Sequence, residues 1–221
     1  MRTAYHDQLS TLRTQLSTMC GETADAMHVA TESLLGADLD RAEEVLRDRG
    51  RIAALSEQAR REAFDLLALQ QPVAGDLRAI VSAIHIASDV DRMNTLAVHI
   101  AEIARRRHPN CAVPEEVKHR LADMGTVAVQ MANTARNALA SYDPAIAARL
   151  SADDDAMDDS HRLLLGALFD RPWPHNVIAA VDVALLARFY ERFSDHAVEI
   201  GRRVVFDATG AVPARRTVST N

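Results

Sequence analysis

Aromatic side chains make up only 4% of this 221-residue chain, and glycine and proline contribute 8 and 7 residues. Sheets draw on aromatic side chains and on turns marked by glycine and proline, so their shortage argues for packed helices with alanine and leucine filling the interior. Cysteine occurs twice, Cys20 in an apolar helical stripe and Cys111 in a loop, which excludes a disulfide framework and a cysteine-rich metal site. Lysine occurs once, as Lys118, among 25 basic residues; this arginine bias reads as the codon habit of a GC-rich genome. No uncharged apolar run approaches the ~18 residues of a membrane-spanning helix. The opening "MRTAYHDQLS" has no apolar signal core, so a cytoplasmic protein is expected. A net charge of −6 leaves no basic stripe for nucleic acid. The densest basic run, Arg105-Arg106-Arg107-His108, precedes Pro109, where cations complement a helix C-terminus. Glycine-rich phosphate loops, nucleophile elbows and dinucleotide fingerprints are all missing.

What is present is helical periodicity in six segments. The first carries Leu9, Leu12, Leu16, Met19, Met27, Ala30 and Leu34 and closes at Gly36-Ala37-Asp38. The second carries Ala42, Val45, Ile52, Ala59, Glu62 and Leu66 and ends before Pro72, because the residue before proline avoids the helical region. The third runs from about Val73 to His108. "HPNCAVPEE" then interrupts with two prolines, and the fourth helix opens at Pro114 with Glu115 and Glu116 in its first turn. The fifth spans Pro144 to Phe169 and the sixth Asn176 to Phe206. The expected fold is all-α, two tandem antiparallel three-helix bundles. Their expected bounds are 1–108 and 114–206, with a linker at 109–113 and a frayed polar tail at 207–221.

The halves are copies. "DRMNTLAVHI" at 91–100 aligns without a gap on "ERFSDHAVEI" at 191–200, and Asp48, Ile52 and Phe64 match Asp153, Met157 and Phe169. The second copy is richer in carboxylates. Glu191, Asp195 and Glu199 follow one another at i, i+4 and i+8, opposite the Phe193/Ile200 face. Asp153, Asp154, Asp155, Asp158 and Asp159 crowd the fifth helix, whose apolar stripe continues through them. Carboxylates at i and i+4 repel, and a hard divalent cation would relieve them. The spacing leaves open a cation site at Asp154, Asp158, Glu191 and Asp195, or a solvated acidic face relieved by arginines. In the first copy Ala53 stands over Asp158 and Thr95 over Asp195. Glu116 and His119 form an ExxH pair of the ferritin-like kind, but in an exposed first turn rather than at a bundle centre.

"ALQQPVAGDLRAIVSAIHIASDVDRM" from Ala68 and "FYERFSDHAVEIGRRV" from Phe189 resemble the core of PhoU phosphate-signalling proteins, and the likeness extends over about Tyr5 to Phe206. The arginine-rich composition is similar to that of actinobacterial members. The resemblance implies a cytoplasmic negative regulator of phosphate uptake and signalling. Such a protein is an adaptor between the ATPase subunit of the Pst phosphate ABC transporter and a PhoR-type sensor histidine kinase, reaching the membrane only through them. It implies a homodimer without catalytic activity. It also implies a divalent or iron cluster (Fe, Zn, Mn or Mg) on E/D-x-x-x-D surfaces, carried over here to Asp154, Asp158, Glu191 and Asp195, with at most one well-formed cluster. The competing readings are a metal-dependent helical-bundle enzyme, ferritin-like or phosphohydrolase, and a helical scaffold without metal.

Overall fold

Helix ends follow from local chemistry: left-handed residues stop α1, α4 and α6, and a side-chain cap or a proline opens α2, α4, α5 and α6. The computed structural model describes residues 2–70, 72–169 and 173–211. α1 (Arg2–Gly36) ends at Ala37, which takes φ 51°, and Asp38 accepts the Arg41 N–H at 3.1 Å to open α2 (Leu39–Gln70). α3 (Gly75–Arg107) follows, and α4 (Glu115–Ser141) begins after Pro114 and ends at left-handed Tyr142. Asp143 accepts the Ala145 N–H at 2.8 Å at the start of α5 (Pro144–Phe169). Asn176 caps α6 (Val177–Thr209) through the Ala179 N–H at 2.8 Å. Gly210, at φ 75°, ends α6 by donating its N–H to the Phe206 carbonyl. α6 thus continues past its expected end at Phe206, because the residue able to turn left-handed comes only at 210. Residues 212–221 of the expected tail lie outside the described residues.

The duplication is written in the burial pattern. Residues 91–100 and 191–200 alternate between buried, intermediate and exposed in the same order at every position. Every buried residue of α5 (Ala147, Leu150, Met157, Leu164, Leu168) also stands over a buried residue of α2 (Ala42, Val45, Ile52, Ala59, Ala63), 105 positions earlier (147 − 42). Glu62 does not follow its stripe. It turns to the surface and accepts a hydrogen bond from Gln58 at 2.8 Å, and Ala63 is buried instead. A carboxylate has no reason to enter an apolar seam when a one-residue rotation keeps it wet.

α1, α2 and α3 pack on one another, as do α4, α5 and α6. The two units join through α1 on α4 and α3 on α6, and their buried residues form one continuous hydrophobic cluster. Both joints are antiparallel. Arg107 at the end of α3 meets Asp182 at the start of α6, and Arg78 at the start of α3 meets Gly210. Along the other joint, Ser17 donates to the Arg136 carbonyl and Thr31 abuts Gly125. The repeats are therefore related by a pseudo-two-fold axis perpendicular to the helices, with α2 and α5 at the outer edges and α3 and α6 central on one broad face.

Candidate functional site

Asp154 and Asp158 of α5 and Glu191 and Asp195 of α6 come together along the seam between these two helices. Each pair is one helical turn apart, and the seam sets the pairs face to face. Asp154 registers the crowding. Burial, and then the charges of Asp158, Asp195 and Glu191, push its carboxyl up to about 7 from 3.8. Burial and Asp195 also raise Glu191, against the lowering effect of Arg188 and Arg192. Arginines already meet part of the charge. One guanidinium nitrogen of Arg188 reaches both Glu191 oxygens, at 2.6 and 2.7 Å, and Arg192 donates to Asp195 at 3.1 Å. His161 lies on the same seam. Burial and Arg188 hold its imidazole below the ordinary range.

With the side chains so paired, no group of three or more His, Cys, Asp or Glu among the described residues is arranged to hold a metal ion. The donor set suits a hard cation by its chemistry. It has four carboxylates, one of them, Asp154, pushed up to about 7 first by burial and then by the charges of the other three, and a divalent ion would offset that repulsion. Arg188 and Arg192 are the competitors such an ion would displace.

In the first repeat this seam is built differently. Position 49, which stands over Asp154, is an arginine, and Ala53 stands over Asp158. Thr95, over Asp195, spends its hydroxyl on the Asp91 carbonyl of its own helix at 3.0 Å. One arginine and one carboxylate, Arg49 and Asp91, thus stand where the second repeat has carboxylates at all four positions. The 105-position offset already held that information, since it places Arg49 opposite the aspartate. Carboxylates of the first repeat gather elsewhere, in a cleft between α1 and α2 lined by Glu22, Asp25, Glu44 and Asp48, where Arg51 binds Glu22 at 2.6 Å. Helical spacing within one segment could not show this, because the cleft joins two helices.

Two further sequence readings change. Arg106 and Arg107 do more than face a helix terminus: both reach the buried carboxylate of Asp182, Arg107 at 2.5 Å and Arg106 at 3.4 Å, and tie the repeats together. Asp182 carried no signal in the sequence, being a single acid in an apolar stretch. Glu116 of the ExxH pair is exposed and meets His175 of the α5–α6 connection at 3.1 Å, so it faces no bundle interior. His196 bonds Asp89 across the α3–α6 joint at 3.0 Å.

A duplicated three-helix unit, fused through one core and carrying a carboxylate seam between its last two helices, defines an all-α protein that offers long helical faces. Residues 16–104 and 121–204 each match the PhoU domain, and the chain belongs to the PhoU family. It is 60% identical over 213 residues to the Mycobacterium tuberculosis protein named phosphate-specific transport system accessory protein PhoU homolog 2, covering 96% of this chain and 100% of that one. Homolog 1 of the same organism is 53% identical over 220 residues, covering 100% of both. The crystal structure of PhoU from Pseudomonas aeruginosa superposes with a TM-score of 0.84 at 23% identity, covering 94% of this chain and 100% of that chain. The phosphate transport system regulatory protein PhoU from Streptococcus pneumoniae gives 0.84 at 20%, covering 96% and 100%. Among the described residues, no helix is long and apolar enough to cross a membrane.

Proposed function

We propose that this chain is a cytoplasmic, non-catalytic adaptor that restrains phosphate uptake and signalling by contact, between the ATPase subunit of a phosphate ABC transporter and a sensor histidine kinase, and that it works as a homodimer. The observation that carries this reading is the full-length identity of 60% to a transport accessory protein, on a fold made of extended helical faces. An adaptor acts by binding partner states unequally, so its surfaces rather than a pocket carry the function. Pull-down of the purified kinase cytoplasmic portion and of the ATPase subunit by the full chain tests it. Retention of both is expected, and retention of neither would reject the adaptor reading.

In the same reading Asp154, Asp158, Glu191 and Asp195 would hold a divalent or iron ion, whose positive charge would offset the repulsion that helps to raise Asp154. What the ion supplies when bound is positive charge that stiffens this seam. Protein purified without chelator is expected to contain metal, and Glu191→Ala with Asp195→Ala to lose it. A double variant with undiminished metal, measured by plasma mass spectrometry, would move the site elsewhere.

A further inference from the structure

α6 opens with an apolar stripe that faces solvent. Val177, Ile178, Val181 and Leu185 are 41–77% exposed, and they share one helical face about 100° wide. Ile178, Val181 and Leu185 keep the i, i+3, i+7 spacing of a helix–helix seam. Phe169, 76% exposed at the end of α5, stands beside the first turns of α6. These side chains form one patch, whereas singly scattered surface hydrophobics need no explanation.

The repeat itself does not require this stripe. Arg78 and His85 occupy the equivalent positions of α3, under Ile178 and Leu185. The first repeat also exposes apolar side chains at its own turn, Phe64 and Val73 among them, but Arg78 and His85 break its helical stripe. An unbroken stripe is therefore present once per chain, and its cause lies outside the packing of the bundle.

Area and shape identify what covers it. On ordinary side-chain areas the five residues leave roughly 600 Å² of apolar surface, at the top of the range for a soluble monomer. Two such patches set face to face bury about 1,200 Å², where stable interfaces begin. The stripe is also complementary to itself. In an antiparallel pair crossing at Val181, Val177 of each helix meets Leu185 of the other, and no charged residue enters the seam. The next side chain along this face, Arg188, is already held by Glu191 at 2.6 and 2.7 Å. One self-complementary patch per chain closes at two copies.

We propose that a second copy of this chain covers the stripe, the two α6 helices packing antiparallel about a two-fold axis at Val181, with Phe169 of each copy at the rim. The inference rests on the homodimer of the adaptor reading above and gives that dimer its surface, in the second repeat.

Sedimentation velocity of the full chain over a concentration series tests it. The wild-type chain is expected to sediment as a dimer. Val181→Asp sets two carboxylates against each other on the axis and should raise the dissociation constant a hundredfold or more. Ile178→Arg with Leu185→His, which writes the first repeat's residues into the second, should do the same with helical circular dichroism unchanged. Val81→Asp, the equivalent change in the first repeat, should leave the dimer intact. A dimer that survives both second-repeat variants, or that Val81→Asp dissolves equally, overturns this surface and leaves the homodimer standing. Variants that stay dimeric but no longer retain the kinase portion or the ATPase subunit assign the stripe to that partner and overturn it too. A wild-type chain that is monomeric throughout the series overturns the homodimer as well.

Discussion

Asp154 is the residue at which the structure holds least comfortably. Its carboxyl titrates near 7 in the fold and near 3.8 when free, because burial and three neighbouring carboxylates oppose its ionisation. Between these values the folded chain binds more protons than the unfolded one, so stability falls as pH rises from about 4 to 7. Above that window the full cost is present; below it the group contributes nothing. In chelator-treated protein Asp154→Asn is therefore expected to raise Tm at pH 7.5 by about 2–4 °C, equivalent to about 1 kcal/mol once solvent screening of this part-exposed group is allowed for. Near pH 4 the variant and the parent should melt together. A variant that melts lower than the parent at pH 7.5 would show that Asp154 is satisfied in the fold. Of this site, the four carboxylates were legible, because i, i+4 spacing survives any packing of the helices. The arginine ties that hold Glu191 and Asp195 were read only as general relief of an acidic face, since a rotamer choice decides which partner each guanidinium takes.

At the scale of elements, helix existence was legible and helix depth was not. The stops after Gly36, before Pro72 and Pro109, and at the "SYDP" and "DRPWP" stretches are punctuated by residues that favour a helix end, so six segments follow from chemistry alone. How closely two helices approach is set by single small residues that look alike in sequence. Gly50 and Gly125 both sit inside helices, yet a Cβ at Gly50 meets nothing within 4 Å, whereas one at Gly125 falls 2.6 Å from Thr31 Cγ2. Thr31 cannot give way freely. Its hydroxyl donates to the Met27 carbonyl at 2.8 Å and lies 2.9 Å from the hydroxyl of the fully buried Tyr190, which joins α1 to α6. Gly50→Ala is expected to stabilise the protein by about 0.5–1 kcal/mol through helix propensity. Gly125→Ala is expected to cost about 1–3 kcal/mol by overpacking. Urea unfolding of the two variants beside the parent checks both signs, and a neutral Gly125→Ala would mean that the α1–α4 joint is loose.

The whole molecule raises the question of whether each repeat is a unit of folding or only of descent. The proline-rich break at 109–113 invites a division into two domains, but one hydrophobic cluster runs through both repeats. Buried side chains serve the joints: Thr31 of α1 meets Tyr190 of α6 and abuts Gly125 of α4, and polar clasps such as Asp182 with Arg107 and Asp89 with His196 cross between repeats. Residues 1–108 alone would leave the α1 and α3 faces bare, an apolar surface larger than a soluble monomer tolerates. Those faces normally pack on α4 and α6, their counterparts in the second repeat, and α6 repeats the burial pattern of α3 over 191–200, so a second copy of the fragment is the nearest available substitute. The isolated 1–108 fragment is accordingly expected to form a two-fold dimer, seen by analytical ultracentrifugation, with stability that rises with concentration. The intact chain is expected to unfold in a single urea transition by both fluorescence and circular dichroism. A fragment that stays monomeric and still unfolds cooperatively would show that each repeat keeps a sufficient core of its own, and that the joints between α1 and α4 and between α3 and α6 are interfaces between independent domains.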